Sequence, residues 1–170
     1  MKKLFLTCTA ALALGLTSGH AALYTLSGTM DPQQAGTNGG FGGGTGLGTG
    51  TINGSYDDVT NLLDYTITYT SLTAPVTIAH FHRGAPGVSG GVDLGIPGPY
   101  DAGVSSATGV PVSAAAETNL LAGNWYVNIH TSSFTSGEIR GQVIVALVPE
   151  PGTSALALAA AGLLFLRRKR

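Results

Sequence analysis

The sequence predicts an all-β domain in which short strands form a sandwich or a barrel. Glycine accounts for 22 of the 127 residues from 22 to 148, more than twice its average usage of ~7%. Long helices are therefore disfavoured, because a glycine inside a helix costs about 1 kcal/mol relative to alanine. In several segments apolar and polar residues alternate with a period of two, and clusters of Gly, Pro, Ser and Asp separate these segments. This pattern is typical of strands joined by turns.

Six segments carry the strand pattern, and the clearest is Leu63 to Thr70, where apolar residues occupy every second position. The others are 23–27, 50–56, 76–82, 125–130 and 138–147. Around seven short strands with such turns favour an immunoglobulin-like arrangement. The exception is 113–122, which is rich in Ala and Leu, and there we expect one or two helical turns.

Composition and motifs exclude several functions. Between residues 22 and 148, eight acidic residues stand against two arginines and no lysine, a net charge of -6 with His neutral. Nucleic acid is therefore not an expected partner, because neutralising phosphates requires clustered Lys and Arg. Glycine fills nine of the fifteen positions from 36 to 50, but no phosphate-binding motif occurs there, and we expect a flexible loop. The sequence also contains no calcium-binding loop, because its acidic residues never recur as D-x-D-x-D.

The first 21 residues have the three parts of a secretory signal peptide. These are Lys2 and Lys3, the mostly apolar run 4–16, and the small-x-small sequence 19–21. Cleavage after Ala21 would release the mature chain outside the inner membrane and remove Cys8, leaving no thiol. The alternative is a buried N-terminal helix.

Residues 148–170 combine three elements in a fixed order. The elements are Pro149, Glu150 and Pro151, then the apolar run 154–166, then Arg167, Arg168, Lys169 and Arg170. A helix of thirteen residues is roughly 20 Å long, shorter than the ~30 Å hydrocarbon core of a membrane. We therefore expect a short membrane segment that anchors the domain transiently, with the basic cluster on the cytoplasmic side.

This tail resembles the PEP-CTERM sorting signal of bacteria, which has the same order of Pro-Glu-Pro, short apolar helix and basic cluster. The resemblance implies processing near Pro-Glu-Pro by an exosortase-type membrane protease. It implies that the mature protein resides in the cell envelope, on the cell surface or outside the cell. A plain C-terminal anchor is the alternative.

Three histidines of the predicted mature chain lie on predicted strands. His80 and His82 flank one residue of the strand 76–82, so both imidazoles project from the same face. In the strand 125–130, alternation places the bulky apolar residues on one face and His130 on the other. If the strands are neighbours, three imidazoles could bind Zn²⁺ or Cu²⁺ and leave a coordination position open for water.

The alternative is a hydrogen-bonded cluster without a metal. Alternation turns Trp125 toward the core and puts Asn128, Glu138 and Arg140 on the polar face. In the last strand the same alternation turns Ile139, Val143, Val145 and Leu147 inward. His80 and His82 would then bond to Glu138 or to a backbone carbonyl, and Glu138 would pair with Arg83 or Arg140.

Four segments together resemble the CHRD domain, in the order and at the spacing of that family. They are Leu26-Ser27-Gly28, Ala79 to Gly87, Leu121 to Thr131 and Gly137 to Gln142. The resemblance covers about residues 23–147 and implies an immunoglobulin-like β-barrel with a suggested kinship to Cu,Zn superoxide dismutase. That enzyme binds copper through a His-x-His pair and a distant histidine, but this chain has no further histidine to bridge to zinc. Dismutase activity is therefore not expected.

The chain thus divides into a signal peptide (1–21), a CHRD domain (22–147) and a sorting signal (148–170). We expect a secreted, non-catalytic component of the cell envelope or extracellular matrix that docks on exopolysaccharide or on another envelope protein. The first alternative is a Cu- or Zn-binding or redox protein built on the three histidines. The second is a hydrolase that uses Glu138 with a histidine.

Overall fold

The computed structural model describes residues 22–36 and 46–149, which contain nine strands and two short helices. Their order is β1 (Leu23–Met30), α1 (Pro32–Gly36), β2 (Thr49–Asp57), β3 (Leu62–Thr70), β4 (Val76–Arg83), β5 (Val92–Ile96), β6 (Val104–Pro111), α2 (Ala114–Leu121), β7 (Trp125–Thr131), β8 (Ile139–Gln142) and β9 (Ile144–Leu147). No helix in this part of the chain is long and apolar enough to cross a membrane. The predicted signal peptide and the predicted membrane segment lie outside the described residues.

The strands form two antiparallel sheets, which confirms the predicted all-β sandwich. One sheet has the order β6-β3-β2-β1-β9 and the other the order β5-β4-β7-β8. Side chains alternate across each sheet, as in β3, where Leu63, Tyr65, Ile67 and Tyr69 are buried and most of the residues between them are exposed. The buried side chains of the two sheets meet in one core, which includes Leu26, Met30, Ile52, Tyr56, Ile67, Phe81, Trp125, Val127 and Ile129.

Most of the predicted elements occur where the sequence placed them. Strands β1 to β4 and β7 each overlap a predicted segment. Helix α2 occupies the predicted helical stretch, and the side chain of Ser113 caps it by accepting a hydrogen bond from the backbone N–H of Ala116. Strands β5 and β6 and helix α1 were not predicted. Gly and Pro, which normally signal turns, interrupt or border both strands.

The predicted strand 138–147 is in fact two strands, and they belong to different sheets. Strand β8 pairs with β7, whereas β9 pairs with β1. Between them, buried Val143 donates its backbone N–H to the carbonyl of Trp125 at 2.8 Å. The crossing is tight, because a Cβ on Gly141 would collide with the backbone carbonyl of Thr29. The prediction that Leu147 faces the core is wrong, since this residue of the edge strand β9 is 60% exposed.

Candidate metal centre

Strands β4 and β7 bring His80, His82 and His130 together on the outer face of the four-stranded sheet. The two strands pair antiparallel, with Ile78 opposite His130 and His80 opposite Asn128. The residues that alternate with the histidines, such as Phe81 and Ile129, are fully buried in the core. The ring centroids of the three histidines are 5.4, 5.4 and 5.9 Å apart. One nitrogen from each ring lies within 4.8 Å of the others, and we call this group the histidine triad.

Backbone carbonyls orient two rings of the triad. Nδ1 of His82 lies 3.0 Å from the carbonyl oxygen of Gly90, and Nδ1 of His130 lies 2.8 Å from that of Thr135. Because a carbonyl oxygen only accepts, each Nδ1 carries the hydrogen and each Nε2 keeps its lone pair. A ring N–H bonded to a carbonyl is the arrangement that commonly fixes the tautomer of a metal-binding histidine.

Two nitrogens of the triad are buried without a hydrogen-bond partner. They are Nδ1 of His80 and Nε2 of His82; among the described residues, the remaining atom of this kind is Oγ of Ser105. Leaving a buried polar atom unsatisfied costs about 1–3 kcal/mol. Two of the three such atoms in the described residues therefore belong to the triad, where a cation could bind a ring nitrogen.

Burial keeps the triad in the form that binds metals. Desolvation lowers the pKa of all three histidines below the usual 6.5. His130 further lowers the pKa of His80 and of His82 by charge repulsion, and Arg140 acts on His82 in the same direction. The three rings are therefore neutral at pH 7, as ligands of a metal must be.

Tyr126 and Arg140 support the triad from the side of β8. The ring of Tyr126 stacks on that of His82 at 10° and 5.1 Å, and the guanidinium carbon of Arg140 lies 3.5 Å from the Tyr126 ring centroid. Arg140 is buried and donates to the carbonyls of Ala85 and Val88. It thereby holds the loop after β4, the same loop that supplies the Gly90 carbonyl to His82.

The triad is more open toward β5. Gly95 pairs with His80 across β4 and β5, so the two residues share a face of the sheet. A Cβ at Gly95 would meet nothing within 4 Å. This space gives an incoming ligand access to the side of His80.

The structure places Glu138 away from the triad. Glu138 is fully buried, and its two carboxylate oxygens accept from the backbone N–H of Thr73 at 2.6 Å and from the hydroxyl of Thr131 at 2.8 Å. The predicted pairing of Glu138 with the histidines or with an arginine is therefore wrong. Gly137 precedes it with φ of 121°, and β8 begins only after Glu138. The alternation of β8 consequently does not extend to this residue.

Of the remaining predicted motif residues, Trp125 lies in the core, whereas Asn128 lies beside the triad, with its amide nitrogen 3.4 Å from Nε2 of His130. Trp125 is fully buried and Asn128 is 7% exposed, with its amide donating to the carbonyl of Ser136. Arg83, the other proposed partner of Glu138, instead pairs with Asp93 at 3.0 Å. Asp93, which the sequence analysis did not single out, also accepts from the indole N–H of Trp125.

A comparison with protein families matches residues 25–143 to the CHRD domain. This chain belongs to the CHRD family. The CHRD match includes all three histidines of the triad. Residues 147–170 match the PEP-CTERM protein-sorting motif, so both resemblances drawn from the sequence are confirmed. None of the curated proteins and none of the solved structures matches the chain.

The sorting motif bears on the processing and the location of this CHRD protein. It supports export and processing by an exosortase at the membrane, and it supports a location at the cell surface or outside the cell. The triad is thus part of a domain that works outside the cytoplasm.

Proposed function

We propose that this exported CHRD protein is a non-catalytic component of the cell surface that binds Zn²⁺ or Cu²⁺ through His80, His82 and His130. The observation that carries the proposal is the convergence of three histidine nitrogens within 4.8 Å. Two buried nitrogens without a partner support it. Neutral imidazoles are ligands that both Zn²⁺ and Cu²⁺ accept.

The proposal is one of binding because, among the described residues, the carboxylate expected to act beside a histidine is not part of the triad. Glu138, the candidate for that role, bonds to Thr73 and Thr131 on the core side. Three protein ligands leave at least one coordination position for water or an outside donor. The open space beside Gly95 lets such a donor be a group on another surface molecule.

Metal titration of the exported protein tests the proposal. The full chain is expressed in a host that exports it, purified, stripped with a chelator and titrated calorimetrically with Zn²⁺ and Cu²⁺ at pH 7. We expect one ion per domain, with Cu²⁺ bound more tightly than Zn²⁺. At a free metal concentration of 100 times the Kd, binding should add about 2.7 kcal/mol to the stability.

Three variants make the test specific. His80→Ala and His130→Ala should each weaken binding by at least about tenfold, because each removes one of three ligands. Ile78→Ala is the matched control, since Ile78 lies on the same strand opposite His130 but carries no ligand atom. Failure of the parent protein to bind either ion, with an unchanged Tm in their presence, would reject the metal site.

A second candidate function, docking on a neutral exopolysaccharide, is favoured by the outer face of the five-stranded sheet. Hydroxyl and amide side chains dominate this face and are largely exposed. They include Thr25, Ser27, Thr29, Thr51, Asn53, Thr66, Thr68 and Ser106. Neighbouring strands align them, as where Thr51 and Thr68 share a hydrogen bond of 2.7 Å. Such a face suits wet, polar contacts with an uncharged polymer.

Co-sedimentation with insoluble cellulose, a neutral polysaccharide, tests this second function. Thr66→Lys places a bulky charge at the centre of the face and should reduce the bound fraction at least about twofold. His130→Ala, on the opposite sheet, is the control and should leave sedimentation unchanged. If the parent protein stays in the supernatant, the polysaccharide proposal is rejected without consequence for the metal site.

A further inference from the structure

The first described residue of the chain is bonded to an acidic turn. The backbone nitrogen of Ala22 donates to Oδ1 of Asp58 at 2.8 Å, and the backbone N–H of Asp58 lies 3.3 Å from the carbonyl of Ala22. Asp58 belongs to the turn that joins β2 to β3, whereas Ala22 immediately precedes β1. The pair therefore fastens the start of β1 to the neighbouring turn.

Asp58 is available for this contact, whereas its neighbour is not. The carboxylate of Asp57 accepts from the backbone N–H groups of Val59 and Thr60 and so closes the turn. Among the described residues, the side chain of Asp58 has Ala22 as its hydrogen-bond partner. Asp58 thus serves the start of the chain, and Asp57 serves the turn.

The predicted signal peptide ends at the residue before Ala22. Hydrolysis of the Ala21–Ala22 peptide bond by a signal peptidase consumes one water molecule and leaves the new carboxylate on Ala21. The nitrogen of Ala22 becomes an α-amine, which takes up a proton because its usual pKa is about 7.7–8.0. The nitrogen that donates to Asp58 as an uncharged amide would then carry a full positive charge.

We propose that removal of the signal peptide converts the Ala22–Asp58 hydrogen bond into an ion pair, and that Asp58 is the docking group for the new amino terminus. A hydrogen bond between two charged groups is roughly twice as strong as one between neutral groups. The other titratable side chains nearby are Asp57 in the same turn and Tyr56 on β2, on which Glu117 of α2 acts. None of these groups is a cation, so none repels the ammonium.

The position of the ion pair relates it to the second processing event. Strand β9 lies next to β1, and the backbone N–H of Val148 donates to the carbonyl of Leu23 at 2.8 Å. The sorting motif begins at residue 147. The start of β1 and the start of the sorting motif therefore lie at the same end of the sandwich. Removal of the signal peptide would thereby strengthen the attachment of β1, the strand that pairs with β9 next to the sorting motif.

Three measurements on the exported protein test the proposal. Mass spectrometry should find Ala22 at the amino terminus. An NMR titration should find the pKa of its α-amine about 0.5 or more above the usual 7.7–8.0. Asp58→Asn, which keeps the shape and loses the charge, should return that pKa to its usual range and lower the Tm by about 1–4 °C.

Asp57→Asn is the matched control, because it removes one charge from the same turn without touching Ala22. We expect it to leave most of the elevation of the α-amine pKa in place. A different amino-terminal residue would overturn the proposal. An α-amine with the same pKa in the parent and Asp58→Asn proteins would also overturn it. Neither result depends on metal binding.

Discussion

Trp125 provides the sharpest test of the packing that holds the triad in place. Its side chain is fully buried, its ring lies 5.1 Å from that of Phe81 between centroids, and its indole N–H donates to Asp93 at 2.8 Å. Trp125→Ala removes the ring and leaves a cavity between the sheets, at a cost of about 3–5 kcal/mol. Loss of the hydrogen bond to a carboxylate places the expected cost near the upper end of that range. A domain of this size has a total stability of only about 5–15 kcal/mol.

Urea unfolding of the chelator-treated domain, followed by circular dichroism, measures this cost. Circular dichroism is needed because the chain has one tryptophan, so the variant loses its strongest fluorophore. Trp125→Phe is the companion variant: it keeps an aromatic ring beside Phe81 and loses the indole N–H. We expect it to cost clearly less than Trp125→Ala. A loss below ~1 kcal/mol in Trp125→Ala would refute the assignment of this residue to the core.

Three further predictions concern the triad, the buried carboxylate and the tail. Burial lowers the pKa of each histidine of the triad below 6.5. These histidines therefore bind protons more readily in the unfolded chain than in the folded one. The metal-free domain should therefore lose stability as pH falls from about 6.5 toward the lowered values, and His82→Gln should reduce this slope in urea titrations; equal slopes would contradict the reasoning. Glu138→Gln replaces one accepting oxygen with an NH2 group that faces another donor, so it should cost about 1–3 kcal/mol in thermal melts. Metal affinity should be unchanged, and a loss of affinity would place Glu138 in the site. Deleting Arg167 to Arg170 should impair C-terminal processing, read by the mass of the exported protein, without changing its Tm; normal processing would argue against a role of these residues in sorting.

Alternation along single strands predicted the essential part of the candidate site. His80 and His82 project together because they are two residues apart on β4, and His130 joins them because bulky apolar residues take the other face of β7. The inward position of Trp125 follows from the same pattern. Side-chain alternation is local, so it can be read from a sequence wherever the strand is regular.

The errors occur where regularity ends. Gly137, with φ of 121°, precedes Glu138, and Glu138 itself lies just before the regular part of β8; its carboxylate bonds to Thr73 and Thr131. Leu147 is exposed because it lies on the edge strand β9, and the sequence does not show which strand is at an edge. The carbonyls of Gly90 and Thr135 that orient the histidines belong to loops, and a backbone carbonyl leaves no mark in the sequence.

The change of sheet at Val143 has a consequence for export. The segment from Ile139 to Leu147 supplies the final strand of each sheet, and it is also the end of the domain in the chain. A precursor whose carboxyl end has not yet been exported lacks the strands that pair with β7 and with β1, so we expect it to be less stable than the whole domain. We therefore expect both sheets to be complete only after the segment that directly precedes the sorting motif has emerged.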